Sequence, residues 1–123
     1  MVLSPDAREL LGLLAYVLLE NDRPEKAAVL LQAMEALKIA GHRELATLAL
    51  AQLRSGKPDI ALDTLDRLAL AGGIDAPFHL IRSQALQALG RSEEAAAAMR
   101  AYLDLRLPPS QQANEALEMR NPV

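Results

Sequence analysis

Three alanines recur at a constant interval along the chain. Ala61 lies as far from Ala27 as Ala95 lies from Ala61. Each closes a similar six-residue segment, namely Asp22–Ala27, Gly56–Ala61 and Gly90–Ala95. A fixed period of this length indicates a repeated helix–turn–helix unit, because one such unit cannot bury its apolar face alone. The chain is therefore expected to fold as a stack of equivalent helix pairs, each in contact mainly with its neighbours.

The interval is about 34 residues, which is the period typical of the tetratricopeptide repeat. We therefore predict an all-α fold in which three tetratricopeptide-like helix–turn–helix repeats form a short right-handed solenoid within residues 1–109. The repeats are predicted at 8–41, 42–75 and 76–109. The polar segment 110–123 has two interpretations at this level, a frayed C-terminal tail or a short capping helix over the last repeat.

Composition restricts the classes of function. The formal net charge is −3 and both signs are interspersed, so no basic stripe predicts nucleic-acid binding. The absence of cysteine excludes disulfides and thiolate metal sites and fits a reducing cytoplasm. The longest apolar run, Leu10–Leu19, is too short to cross a membrane, for which about 17–25 residues are needed. The N-terminal residues show no secretory-signal pattern, so neither export nor membrane insertion is expected.

Capping signals predict where the helices begin and end. Ser4 followed by Pro5 predicts the start of the first helix, and Asp22 with Glu25 predicts a capping box for the second. Gly41 is the predicted glycine after the second helix. The remaining helices are predicted at Glu44–Ser55, from Pro58 to Gly72, from Pro77 to Gly90, and from Ser92 to Pro108.

Superposing the repeats assigns the core positions. Small residues are expected where paired helices touch most closely, namely Ala15, Ala49 and Ser83 in the first helices and Ala27, Ala61 and Ala95 in the second. Large apolar positions facing the partner helix are predicted at Leu11, Leu14, Leu45 and Leu48. The third repeat has His79 and Arg82 at two of these positions, so Phe78, Leu80 or Ile81 is expected to turn inward instead.

The first helices carry more apolar side chains than one buried stripe requires. Residues Leu10–Leu19 leave no polar face, whereas a helix of a stable stack normally shows one to water. The repeat register predicts a partner-binding groove along the first helices, lined by Gly12, Tyr16, Leu19, Ala46, Leu50, Leu53, Leu80, Gln84 and Gln87. A contiguous apolar surface of this kind suits an amphipathic helix of another protein. A homodimer, or filling of the groove by the chain's own tail, are the two alternatives.

No combination of residues predicts catalysis or cofactor binding. His42 and His79 are the only histidines, and neither lies at a metal-ligand spacing from a second candidate ligand. No glycine-rich phosphate-binding loop is present, and Gly72–Gly73 is more simply a helix end. We therefore expect a protein without enzymatic activity, cofactor or metal.

Three segments give a more specific resemblance: Glu25–Leu37, Ser83–Gly90 and Ala101–Arg106. They resemble the YscY-type chaperones of bacterial type III secretion, which are small, cysteine-poor, three-repeat proteins of about this length. The resemblance covers Leu10–Arg106 and keeps the phase of the repeats. The chain differs at His79, where that family tends to carry tryptophan, and in its longer C-terminal tail, which puts the contacts of the third repeat in question.

The resemblance implies a chaperone that binds a small export substrate of the YscX type in the bacterial cytoplasm. It also implies that the pair engages an export gate of the YscV type through the cytoplasmic domain of the gate. Two other interpretations remain at this level. One is a needle-subunit co-chaperone of the YscG type, and the other is a generic homodimeric repeat scaffold for protein–protein interaction.

Overall fold

The structure is a computed structural model that describes residues 4–107. These residues form six helices joined by short turns. The helices are α1 (Pro5–Glu20), α2 (Pro24–Ala36), α3 (His42–Arg54), α4 (Pro58–Leu70), α5 (Ala76–Ala88) and α6 (Ser92–Arg106). Segment 110–123 and the predicted stop at Pro108 lie outside the described residues.

The six helices form three consecutive pairs, and the stacked pairs make two layers of helices. Each helix packs on the next one in the chain, and α3 also contacts both α1 and α5. The first helices of the pairs therefore form one layer, and α2, α4 and α6 form the other. The second helices begin at Pro24, Pro58 and Ser92, which are equally spaced in the sequence. The described chain is an all-α helical-repeat solenoid, which confirms the predicted fold class.

Small residues hold the paired helices close together. Ala15, Ala27, Ala49 and Ala61 have no exposed surface, and Ala95 is also buried. A larger side chain at these points would hold the two helices of a pair apart, so alanine permits the close contact. In the third repeat Ser83 takes this role, and its hydroxyl donates to the Leu80 carbonyl at 2.8 Å, which satisfies the buried polar atom. The close-packing positions predicted from the sequence are confirmed.

The large apolar positions behave differently in the first repeat. Leu45 and Leu48 are buried and Leu11 is half-buried, as predicted. Leu14 is not, because 48% of its surface is exposed. It lies on the side of α1 that no other described helix covers, so the prediction that it faces the helix partner is wrong.

The third repeat turns other residues inward, as expected from its sequence. Phe78 and Ile81 are buried in one cluster with Leu45, Leu65 and Leu68 of the second repeat. Leu80 is half-buried. The apolar side chains at 78 and 81 replace the contact that His79 and Arg82 cannot make.

Helix starts follow the predicted chemistry in part. The Ser4 hydroxyl accepts from the Ala7 amide at 3.1 Å and caps α1, as predicted. The capping box predicted at Asp22 is wrong: α2 begins after Arg23, with no side-chain cap. Asp22 instead adopts a left-handed conformation (φ 58°) that ends α1. The same segment therefore serves the end of one helix rather than the start of the next.

Five of the described helices end in the same motif. A residue with positive φ follows each of α1 to α5, and the two amides at that turn bond back to carbonyls of the last helical turn. These residues are Asp22, Lys38, Gly56, Gly72 and Gly90. Gly41 is not one of them, because α2 has already ended and Gly41 (φ −89°) precedes α3 as its N-cap. The predicted helix end at Gly41 is therefore wrong by three residues.

Lys38 and Gly72 occupy equivalent positions of successive repeats. The left-handed backbone conformation at this position is unfavourable for lysine but not for glycine. Both have positive φ, and a Cβ atom at Gly72 would meet no atom within 4 Å. Left-handed backbone costs a non-glycine residue about 1–2 kcal/mol. We expect Lys38→Gly to raise the free energy of unfolding by about 1 kcal/mol and Gly72→Lys to lower it by a similar amount. Urea denaturation measures both, and changes of the same sign would contradict the assignment.

An ion pair joins the first two repeats in the second layer. The Arg67 guanidinium on α4 donates to both carboxylate oxygens of Glu35 on α2, at 2.8 and 3.0 Å. This hydrogen bonding raises the pKa of Arg67 above its usual value. Because both side chains remain partly exposed, the pair contributes about 0–1 kcal/mol to stability.

Candidate functional site

The predicted groove residues do not form one exposed apolar strip. Among the large apolar residues of the predicted groove, Tyr16 has more than half of its surface exposed, at 53%. Gly12, Ala46 and Leu80 are half-buried on the same layer of helices. Gln84 and Gln87 are exposed, and they line a separate cleft on the last repeat together with α6.

Three leucines of the predicted groove belong to the packing of the protein. Leu19 is only 2% exposed and lies in the core cluster of the first repeat, so it is not available to a partner. Leu50 and Leu53 are half-buried and pack against the core of the second repeat. The register placed them correctly on the first-helix layer, but each helix buries more of its circumference between two neighbours than the prediction assumed. An Asp at Leu50 or Leu53 would therefore change stability as well as binding.

A cleft lies between α1 and α3, and we call it the α1–α3 cleft. Its volume is about 390 Å³. It is lined by Glu9, Gly12, Leu13 and Tyr16 of α1, by Leu31 of α2, and by Arg43, Glu44 and Thr47 of α3. One wall is thus largely apolar and the other is polar and charged. This division suits an amphipathic helix or an extended peptide that presents one apolar and one polar side.

Glu44 shapes the floor of this cleft. Its Oε2 atom accepts from the Gly41 amide at 3.0 Å, which satisfies a free donor at the start of α3. Its Oε1 atom would lie 3.0 Å from a Cβ atom at Gly12. Glycine at position 12 therefore lets the carboxylate lie against the backbone of α1. Sequence analysis included Gly12 in the groove, but it missed Glu44, because the contact becomes visible only when the two helices are placed side by side.

A second apolar surface lies on α1 itself, and we call it the N-terminal face. It consists of Leu10, Leu13, Leu14 and Val17, which are 48–67% exposed. Their spacing of i, i+3, i+4 and i+7 puts them in one stripe along the helix. The opposite stripe of α1, with Leu11, Ala15, Leu18 and Leu19, packs into the core cluster of the first repeat. The sequence signal for this surface was the absence of a polar face on α1. The prediction, however, assigned the additional apolar side chains of α1 to the groove.

The two histidines have structural contacts. His42 Nε2 donates to the Ala71 carbonyl at 2.8 Å and so satisfies an acceptor at the end of α4. The His79 ring lies edge-on to Phe78, with ring centroids 5.3 Å apart. Across residues 4–107, no group of three or more His, Cys, Asp or Glu side chains is placed to hold a metal ion.

Among the helices of the described chain, none combines the length and the apolar character needed to cross a bilayer.

Comparison with known families gives a match to one of the three repeats. The family model described as Tetratricopeptide repeat matches residues 76–101, which span α5 and most of α6. The match falls on the repeat whose sequence departs most from the pattern of the other two. It supports a tetratricopeptide-repeat protein, and proteins built from these repeats generally act as scaffolds for protein–protein interaction. No curated protein sequence matches the chain.

Proposed function

We propose that the chain is a non-enzymatic cytoplasmic chaperone of the YscY type, which binds a helix of a small YscX-type export substrate in the α1–α3 cleft. The observation that carries this proposal is the apolar surface that α1 leaves exposed on a helical-repeat scaffold. Tyr16 and Leu13 each expose more than half of their surface at one wall of the cleft. Tyrosine is one of the residues that are enriched at the energetic centre of protein interfaces, and the leucine beside it adds apolar area.

The two walls of the cleft contribute differently to binding. Leu13 and Tyr16 offer apolar area to the apolar stripe of a substrate helix, and burial of that area supplies the free energy of association. Arg43 and Thr47 on α3 offer polar groups to the edge of the same helix and fix its orientation. A substrate that is partly disordered alone would become ordered on binding, at an entropic cost that the apolar burial offsets.

The pair then presents the substrate to an export gate of the YscV type. In this proposal the chaperone keeps the apolar stripe of the substrate covered until the gate receives it. The α1–α3 cleft would equally suit a helix of a needle subunit, which makes the YscG-type co-chaperone the nearest alternative. The homodimeric scaffold differs from both, because it needs no second gene product.

Co-expression with a short, helix-rich candidate substrate of the YscX type tests the proposal. We expect a one-to-one complex by light scattering and a lone chain whose mass does not depend on concentration. Tyr16→Asp places a charge in the cleft without removing a core side chain, and we expect it to weaken the complex about tenfold or more. Ile60→Asp is the matched control, because Ile60 is partly exposed on α4 in the other layer of helices. It is expected to leave the affinity unchanged.

The contrary outcomes separate the alternatives. A lone chain that is a dimer, with no change on co-expression, supports the homodimeric scaffold. A complex that forms only with a needle subunit supports the YscG-type role. Full affinity in the Tyr16→Asp variant would remove the cleft from the proposal, whatever the partner is.

A further inference from the structure

We propose that the N-terminal face is a second docking surface, which binds an amphipathic helix of a partner protein that carries basic residues at both ends of its apolar stripe. The bound helix takes the place that a preceding repeat would occupy. This inference does not rest on the type III secretion role, because its arguments from the repeat register and from charge use neither Tyr16 nor the α3 wall of the cleft, and Leu13 borders both surfaces.

The repeat register shows which residues of the later repeats are equivalent to the N-terminal face. Each of its four residues has a counterpart one or two repeats later that is buried. Leu14 corresponds to Leu48, Leu10 to Phe78, Leu13 to Ile81, and Val17 to Ala51 and Ala85. In the second and third repeats these counterparts lie in clusters formed with the repeat before them. The N-terminal face is thus a stacking surface of the solenoid that no described helix covers.

The chain also shows what covers such a surface. Leu48 and Ala51 pack against aliphatic side chains of the first repeat, including Leu19 and Leu31. Phe78 packs against the equivalent side chains of the second repeat. The occupant that fits is therefore an aliphatic helix face, and the i, i+3, i+4 and i+7 spacing on α1 sets the spacing of its anchors.

The end of the solenoid does not supply that occupant from a second copy. In a head-to-tail stack, the last repeat of one copy would cover the N-terminal face of the next. That repeat has Gln84 and Gln87 where the second repeat has Leu50 and Leu53. Both glutamines are exposed and line the open cleft of the last repeat. Their burial against aliphatic side chains without hydrogen bonds would be unfavourable, so they oppose this stacking.

Charge opposes a head-to-head pair as well. Asp6 lies one turn before Leu10, and Glu20 lies one turn after Val17, so both ends of the stripe are acidic. Both residues are exposed, and neither forms an ion pair with another of residues 4–107. Two antiparallel α1 helices would bring Asp6 of one copy beside Glu20 of the other at each end. A helix with Lys or Arg at both ends is complementary instead.

Synthetic helical peptides test the proposal on the full chain. The probe has about 18 residues, four leucines at the i, i+3, i+4 and i+7 positions, and a lysine one turn beyond each end. A second peptide differs only in having glutamate at the two flanking positions. By fluorescence anisotropy at low salt, we expect the lysine peptide to bind about tenfold more tightly than the glutamate peptide. The difference should shrink at about 0.5 M salt, because the flanking charges are exposed.

Variants of the chain locate the bound peptide. Val17→Asn is expected to weaken binding of the lysine peptide about tenfold, whereas Val29→Asn is expected to leave it unchanged. Val29 is the matched control, since it is an exposed valine of the same repeat on α2. Glu20→Lys should reduce the preference for the lysine peptide by about threefold or more. Circular dichroism spectra and melting curves confirm that each variant is folded.

Four results would overturn the inference. The first is that the chain binds neither peptide, and the second is that it binds both with equal affinity at low salt. The third is that the Val17→Asn variant keeps full affinity for the lysine peptide. The fourth is that the lone chain is a dimer and that Val17→Asn separates the dimer into monomers. The last result would assign the face to a second copy. Loss of the Tyr16→Asp effect in the co-expression test would leave this inference intact.

Discussion

Leu48→Ala is expected to lower the free energy of unfolding by about 3 kcal/mol, whereas Leu14→Ala is expected to lower it by about 1 kcal/mol or less. The two leucines occupy equivalent positions of successive repeats, in α1 and α3. Leu48 has no exposed surface and packs into the core cluster between the first two repeats. Leu14 is about half exposed, so its truncation leaves no cavity. Urea denaturation followed by circular dichroism measures the difference.

The comparison isolates the effect of a neighbouring repeat. Residue type, substitution and helical environment are the same in the two variants, so helix propensity cancels. A loss at Leu14 as large as the loss at Leu48 would show that the N-terminal face is covered in solution. A repeat of the measurement at several protein concentrations would then distinguish a second copy, whose contribution depends on concentration, from coverage within the chain.

The repeat architecture was predictable because its signals are local and occur more than once. Ala27, Ala61 and Ala95 mark the same contact three times, and each is buried in the structure. Their constant interval therefore indicated the number of helices and the layer in which each one lies. The inward turn of Phe78 and Ile81 was also predictable, since His79 and Arg82 could not serve in the apolar positions.

Helix ends were less predictable, because one residue type serves two purposes. Asp22 looked like an N-cap, but it ends α1 in a left-handed conformation, as glycine does at the equivalent Gly56. Lys38 carries no sequence signal for that conformation, so the end of α2 was assigned to Gly41 instead. Which role a capping residue takes depends on how the chain turns between two packed helices, and that is a tertiary property.

The binding surface was only partly predictable, for a reason that concerns α1. Apolar residues of α1 lie on every side of the helix, so their periodicity does not show which side faces the core. The register indicated that Leu14 and Leu19 have the same roles as their counterparts, Leu48 and Leu53. It did not account for the absence of a covering repeat on one side of α1 among the described helices. Leu14 is consequently exposed, whereas Leu19, one of the predicted groove residues, is buried in a core cluster.

The buried hydrogen bond between Gln52 and Thr64 gives the second large expected effect. The Thr64 hydroxyl donates to Gln52 Oε1 at 2.5 Å between α3 and α4, and both residues are buried. We expect Thr64→Val to lower the free energy of unfolding by about 2 kcal/mol, because the Gln52 oxygen loses its donor. Gln52→Leu should cost about 1 kcal/mol or less, since the Thr64 hydroxyl can still donate to the Ile60 carbonyl, at 3.2 Å.

The double variant should recover most of the stability that Thr64→Val loses. The equivalent pairs in the other repeats are apolar, Leu18 with Leu30 and Leu86 with Ala98, and Leu86 and Ala98 pack in one buried cluster. The site therefore accommodates an apolar pair, and only the unpaired glutamine is costly. Urea denaturation of the two single variants and the double variant gives the coupling energy. Additive losses would show that the hydrogen bond does not couple the two residues and that the cost arises from altered packing.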